Sequence, residues 1–196
     1  MTGLLRLSRL IDSLTERVGH LVYWLVLVAV LVSAGNAAVR YTLNTSSNAW
    51  LEIQWYLFSA IFLLCSGYAL LHHSHVRIDV MSSRLPKRAQ MWIDVFGTIF
   101  FLMPMALLIM YLSWPVFVDQ FVHGDRSQNA GGLLLWPARL LVPVGFFLLV
   151  LQGISELIKR IAFLRGLIPD PTEKHEAPSA EEELAKAILE QRGGQP

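Results

Sequence analysis

Hydrophobic positions along the chain gather into four long stretches. Residues 21–39 and 53–71 each run nineteen positions without a charge, and residues 95–118 run twenty-four. A fourth stretch, 133–158, carries only Arg139 near its start and Glu156 near its end. About 20 apolar residues in helical form cross the hydrocarbon core of a bilayer. Lipid offers backbone amides no partner, so each stretch predicts a transmembrane helix. Tyr23, Trp24, Tyr41, Trp50, Tyr68, Trp92, Trp114 and Trp136 stand near the ends of these stretches, where amphipathic rings favour the headgroup level. The pattern predicts spans at about 21–40, 51–72, 92–118 and 133–158.

The flanks read differently. In residues 1–17, Leu4, Leu7, Leu10, Ile11 and Leu14 recur at helical spacing while Arg6, Arg9, Ser13 and Arg17 take the other face. That predicts an amphipathic helix lying in the membrane surface. The apolar run behind it is too long for a secretory signal and lacks a clear small-x-small cleavage site. At the other end, Pro169, Pro171 and Pro178 punctuate a polar tail, with Ser179 and Glu182 as a capping box for a short helix to about Gln191. The expected fold is therefore all-α: an interfacial helix over 1–17, a four-helix membrane domain over 18–161 and a polar, largely flexible tail over 162–196.

Charge orients this arrangement. Ten basic residues fall before the first span, between the second and third, or after the fourth: Arg6, Arg9, Arg17, Arg77, Arg84, Lys87, Arg88, Lys159, Arg160 and Arg165. The other side has only Arg40, Arg126 and Arg139. Positive loops resist translocation, so both termini are expected in the cytoplasm. Composition agrees, with 54% hydrophobic residues against 16% charged, far from the roughly 25% charged of a soluble domain. The acidic tail, residues 170–196, carries seven acids and three bases.

Candidate chemistry is sparse. Cys65, the single cysteine, lies inside an apolar run, so neither an intrachain disulfide nor a cysteine metal cluster is available. The stretch LHHSHVRIDV, residues 71–80, holds three histidines in four positions. His72 and His75 have a spacing zinc tolerates, but Asp79 is the only acid nearby, and no metal site is predicted. Paired histidines could ligate haem in a four-helix membrane protein. Here no histidine falls inside an apolar run, so a haem-binding electron-transfer subunit stays an alternative only. From His75 to Val80 polarity alternates strictly, which suggests a short extended piece with one apolar face.

Charges within the membrane region usually pair or face protein. Glu52 follows Trp50 by two residues and Arg139 follows Trp136 by three, which implies similar depth and suggests that the two pair or share a protein-facing surface. Glu52, Tyr56, Ser59, Ser66 and His73 form one stripe on the second span; Asp94, Gly97 and Thr98 cluster on the third, and Gly145, Gln152 and Glu156 on the fourth. Small and polar residues on one face mark helix packing. These faces either close the bundle on itself or dock a partner, and the candidate subunit-interface residues are Glu52, Tyr56, Ser59, Ser66, His75, Arg77, Asp79, Asp94, Arg139 and Glu156. Pro104, Pro115, Pro137 and Pro143 should bend the last two spans. Nucleophile-elbow, phosphate-loop, zincin and nucleic-acid signatures are absent, so no catalytic residue, cofactor or nucleic-acid partner is predicted.

The segment NAWLEIQWYLFSAIFLLCSGYALLHHSHVRIDVMSSRLP, residues 48–86, resembles the small, four-span membrane subunit of tripartite ATP-independent periplasmic (TRAP) transporters. AGGLLLWPARLLVPVGFFLLVLQGISELIKRI, residues 130–161, is similar to that family's fourth span and its basic exit. The resemblance implies a large permease subunit carrying solute and sodium sites, a periplasmic solute-binding protein, and a small subunit bracing the large one for uptake of a small organic solute. A self-sufficient oligomeric transporter is the remaining alternative.

Overall fold

The computed structural model describes residues 2–45, 47–72 and 86–168. Its helices are α1 (Thr2–Leu43), α2 (Asn48–Leu71), α3 (Lys87–Gly97), a π-helical turn (Thr98–Leu102), α4 (Met103–His123) and α5 (Trp136–Leu164). Four segments are long and apolar enough to cross a membrane: Gly3–Leu43, Asn48–Leu71, Lys87–His123 and Trp136–Leu164. The only strand-like pairing among the described residues is an isolated bridge between Arg126 and Leu134. The fold is all-α with four membrane-length helices. The extended piece expected at 75–80 and the tail helix after Ser179 lie outside the described residues.

One difference from the sequence reading is that α1 has no boundary after residue 17. It continues for 42 residues, about 63 Å at ~1.5 Å per residue. Nothing between Arg17 and Leu21 removes a backbone donor, and Gly19, the only weak helix former there, is where the Tyr68 ring lies against the helix. A Cβ at that position would overlap the ring.

The prolines also act unequally. Pro104 has no N–H to offer residue 100, and its ring crowds that carbonyl. The turn before it widens, with the Met103 N–H donating to the carbonyl of Thr98, five residues back. Pro137 lies in the first turn of α5, where no intrahelical donor is lost. Helix assignment continues through Pro115 and Pro143.

Side-chain contacts fix an alternating order of helix directions. Glu16 meets His72 and Tyr23 meets Tyr68, so α1 and α2 are antiparallel. Leu63 lies against Gly145 and Gly67 against Leu148, so α2 and α5 run parallel with an offset of about 81 positions. Thr98 meets Arg160 and Phe121 meets Trp136, so the third span is antiparallel to α5. Thr2 and Leu164 therefore sit at one end of the bundle, the terminal end. Residues 44, 45, 47 and 124–135 lie at the other, the loop end.

α5 is the central helix. It packs on α1 and α2 on one side and on α3, the π-turn and α4 on the other, while the third span makes at most marginal contact with α1 or α2. Accordingly 39% of the most apolar window of α5 is buried, against 11–17% for the other three segments. Glycines set the close approaches. A Cβ on Gly145 would lie 2.8 Å from Leu63 Cβ, and one on Gly153 2.9 Å from Met103 Cε. Close approach at small residues is how helices associate where hydrophobic burial gives little drive.

Candidate functional site: two polar clusters along the central helix

At the loop end, one face of α2 holds down the loop between the last two spans. Ser47 caps α2, its Oγ accepting from the Ala49 N–H at 3.3 Å. Asn48, Glu52 and Tyr56 follow at four-residue intervals, which stacks them on one side of the helix. Glu52 is buried, and both its oxygens accept: Oε1 from Asn129 Nδ2 at 2.9 Å and Oε2 from the Leu133 N–H at 2.7 Å. Tyr56 donates to the carbonyl of Leu134 at 2.9 Å, and Asn48 reaches the carbonyl of Ala130 at 3.5 Å. The loop is pre-shaped to be held. Gly132 donates back to the Asn129 carbonyl at 2.9 Å across a tight turn in which Gly131 takes φ 74°, a conformation costly for any residue with a Cβ. Ser127 donates to Leu133 and Leu135 to Asp125, closing the loop as a short antiparallel ladder.

The suggested Glu52–Arg139 pair does not form. The offset between α2 and α5 puts Glu52 level with Leu133, leaving Arg139 about six residues, ~9 Å, further along the axis. Arg139 is exposed on α5. Equal distance from an interfacial tryptophan did not mean equal depth, because the loop before α5 descends beside α2 before the helix starts.

At the terminal end, α1, α5 and the third span share a denser cluster. Ser8 and Ser155 hydroxyls lie 2.8 Å apart. Thr15 donates to Gln152 Oε1 at 2.8 Å, and Gln152 Nε2 donates to Asp12 Oδ1 at 3.0 Å. Asp12 also accepts from Ser155 at 2.7 Å and meets Lys159 Nζ at 3.3 Å. Lys159 in turn contacts Glu156 Oε1 at 2.5 Å. Arg160 then bridges to the third span, with Nη1 donating to Thr98 Oγ1 at 3.2 Å and Nη2 lying 3.4 Å from Asp94 Oδ2 and 3.8 Å from Glu156 Oε2. Gln152, Ser155, Glu156 and Arg160 are all at most 3% exposed. Polar groups this deep are tolerated because most of their polar atoms satisfy one another, with Arg160 Nε the exception among these four residues.

Thr98 ties this cluster to the π-turn. Its hydroxyl donates to the Asp94 carbonyl at 2.8 Å while accepting from Arg160. The widened turn that Pro104 imposes thus begins at the residue receiving the guanidinium.

Of the ten residues singled out from sequence, Glu52 and Tyr56 meet at the loop-end cluster, and Asp94 and Glu156 at the terminal-end cluster. Ser66 donates to the Leu63 carbonyl of its own helix at 2.7 Å, and Ser59 is half-buried without joining either cluster. His75, Arg77 and Asp79 lie outside the described residues. Ser8, Asp12 and Thr15 were missed, since the leucine and arginine rows of α1 dominate its periodicity. Their signal was a third row at helical spacing: Ser8, Asp12, Thr15 and Gly19, separated by four, three and four.

The geometry defines a four-span helical membrane protein whose buried polar groups act as internal fastenings of one central helix. The family model described as "Tripartite ATP-independent periplasmic transporters, DctQ component" matches residues 29–163, and the chain belongs to this family, the small permease component of TRAP transporters. No curated protein and no solved structure gives a significant match.

Proposed function

We propose that this chain braces the large permease subunit of a TRAP transporter for sodium-coupled uptake of a small organic solute delivered by a periplasmic binding protein. Its termini face the cytoplasm of a bacterial inner membrane. The observation that carries the reading, beside family membership, is the open construction of the bundle. Among the described residues the third span packs chiefly on α5, and its outward face exposes Trp92, Phe96, Phe100, Phe101, Met105 and Tyr111. An apolar, aromatic-rich face on a helix secured from one side only suits a broad contact with another membrane protein. Orientation is supported by Arg6, Arg9, Arg17, Lys87, Arg88, Lys159, Arg160 and Arg165, which all belong to the terminal end.

On this reading the predicted interface residues divide. Glu52, Tyr56, Asp94 and Glu156 have their polar atoms engaged within the chain, so they serve a partner by holding the shape it docks on. Arg139, exposed on α5, and His75, Arg77 and Asp79, which lie outside the described residues, are the candidates for direct contact.

The test is affinity purification of the tagged chain from cells producing its full transporter. A polytopic membrane protein of about a dozen spans should co-purify in mild detergent, and charge reversal at Arg77 or Asp79 should lower its recovery. Solute flux by the chain alone in liposomes, or a haem absorption band in the purified protein, would replace this reading.

A further inference from the structure

The first five turns of α1 have three sides. One carries Ser8, Ile11, Asp12 and Thr15 and is closed against α5. A second carries Leu7, Leu10 and Leu14, which are 46%, 70% and 45% exposed. The third carries Arg6, Arg9 and Arg17, all exposed. Both acids in this stretch are already engaged, Asp12 with Ser155, Gln152 and Lys159, and Glu16 with His72 at 3.0 Å. The outer surface presents three guanidinium groups beside a leucine row, and the Glu16 carboxylate at its edge is turned to His72. Further along α1, the arginine side turns apolar: Trp24, Leu27 and Leu31 are exposed there.

We propose that this outer surface of α1 is a binding surface for anionic phospholipid, with the leucine row in the acyl boundary and Arg6, Arg9 and Arg17 against the phosphates. The proposal rests on the membrane reading above and adds a lipid class to it. Charge complementarity argues for anionic lipid over zwitterionic: each arginine near a negatively charged leaflet adds to the attraction, so three acting together enrich anionic lipid measurably. The leucines keep the surface on lipid, since left in water they would hold apolar area exposed at about 25 cal/mol per Å². Because the inner side is pinned to α5, the helix needs no folding on contact and the surface is already formed.

The experiment uses the full chain with Cys65→Ser and Leu10→Cys, labelled with bimane and reconstituted into phosphatidylcholine–phosphatidylglycerol vesicles. In parallel samples one lipid or the other carries brominated acyl chains. Both should quench the label, brominated phosphatidylglycerol several-fold more strongly per mole. The preference should disappear at high salt and in Arg6→Gln/Arg9→Gln/Arg17→Gln, and survive in the matching lysine variant. Equal quenching by the two lipids would overturn the anionic preference while leaving the interfacial position of the helix intact. Absence of quenching by either would place this surface in water or under protein, and would overturn the proposal entirely. Neither result depends on co-purification of a large subunit, so the proposal and the bracing function fail separately.

Discussion

Gln152 has no exposed surface and joins α5 to α1 through Thr15 and Asp12. Replacing it by leucine keeps most of the volume but removes one acceptor and one donor. Asp12 is not left without partners, because Ser155 at 2.7 Å and Lys159 at 3.3 Å remain. The Thr15 hydroxyl, 4% exposed, loses its acceptor. A buried group so deprived costs about 1–3 kcal/mol. The low end applies here, since a helical threonine can turn its hydroxyl to the carbonyl four residues back. Thr15→Val leaves Gln152 Oε1 without that donor, at similar cost. In the double variant neither group is left unpaired, so its loss should be smaller than the sum of the singles by about 0.6–1.7 kcal/mol, the range such cycles give within membranes. The assay is reversible unfolding of the purified chain in mixed micelles of rising SDS fraction, followed by tryptophan fluorescence. Strict additivity would refute the bond between Thr15 and Gln152. A Gln152→Leu variant as stable as the parent would refute any contribution of the cluster to α1–α5 adhesion.

Three further outcomes are expected. Glu52→Gln puts an amide where two donors converge, losing a charge-assisted bond worth about 1.5–3 kcal/mol; trypsin should then cut after Arg126 at least tenfold faster, and an unchanged rate would show that the loop is held by something else. Arg160→Met removes the guanidinium between Asp94 and Glu156 while Glu156 keeps Lys159, a loss of about 1–3 kcal/mol that a second change, Asp94→Asn, should partly reverse in the same unfolding assay. Gly145→Ala forces a Cβ to within 2.9 Å of the Leu63 carbonyl oxygen and should cost about 1–3 kcal/mol, whereas Gly35→Ala, with nothing within 4 Å, should be neutral or mildly stabilising.

Much of the fold was legible because apolar run length is a one-dimensional signal. A span needs about 20 residues, and four runs of that size stand apart in the chain. Depth along each helix was not legible, and the Glu52–Arg139 suggestion failed on it. Axial register depends on which side chains interlock, here Leu63 with Gly145 and Gly67 with Leu148, and a single span's composition does not encode that offset. Glu52 and Tyr56, two members of the polar stripe on the second span, meet the chain's own 129–134 loop, a partner that the stripe itself does not identify. Lys159 and Arg160 were visible only as a basic exit. Their second role, threading between Asp12, Glu156 and Asp94, needs three helices brought together in space.

The match to the family begins at residue 29, whereas Ser8, Asp12 and Thr15 precede it and supply partners for Gln152, Ser155 and Lys159 inside it. The first turns of α1 therefore cannot be treated as a detachable leader on a self-contained bundle. Removing residues 2–16 would uncover Gln152 and Ser155, both 0% exposed in the intact chain, and take away the Asp12 carboxylate from Lys159. Lys159 would keep Glu156 and Arg160 would keep Asp94, so the junction of α5 with the third span should survive while its junction with α1 fails. Two buried hydroxyl or amide groups losing partners imply a loss of about 2–6 kcal/mol. A disulfide tests the division locally. With Cys65 replaced by serine, cysteines introduced at Leu102 and Gly153 should still cross-link in the truncated chain, while SDS unfolding should begin at a clearly lower detergent fraction. Loss of the cross-link together with stability would mean that α1 organises the whole of α5, and not one side of it.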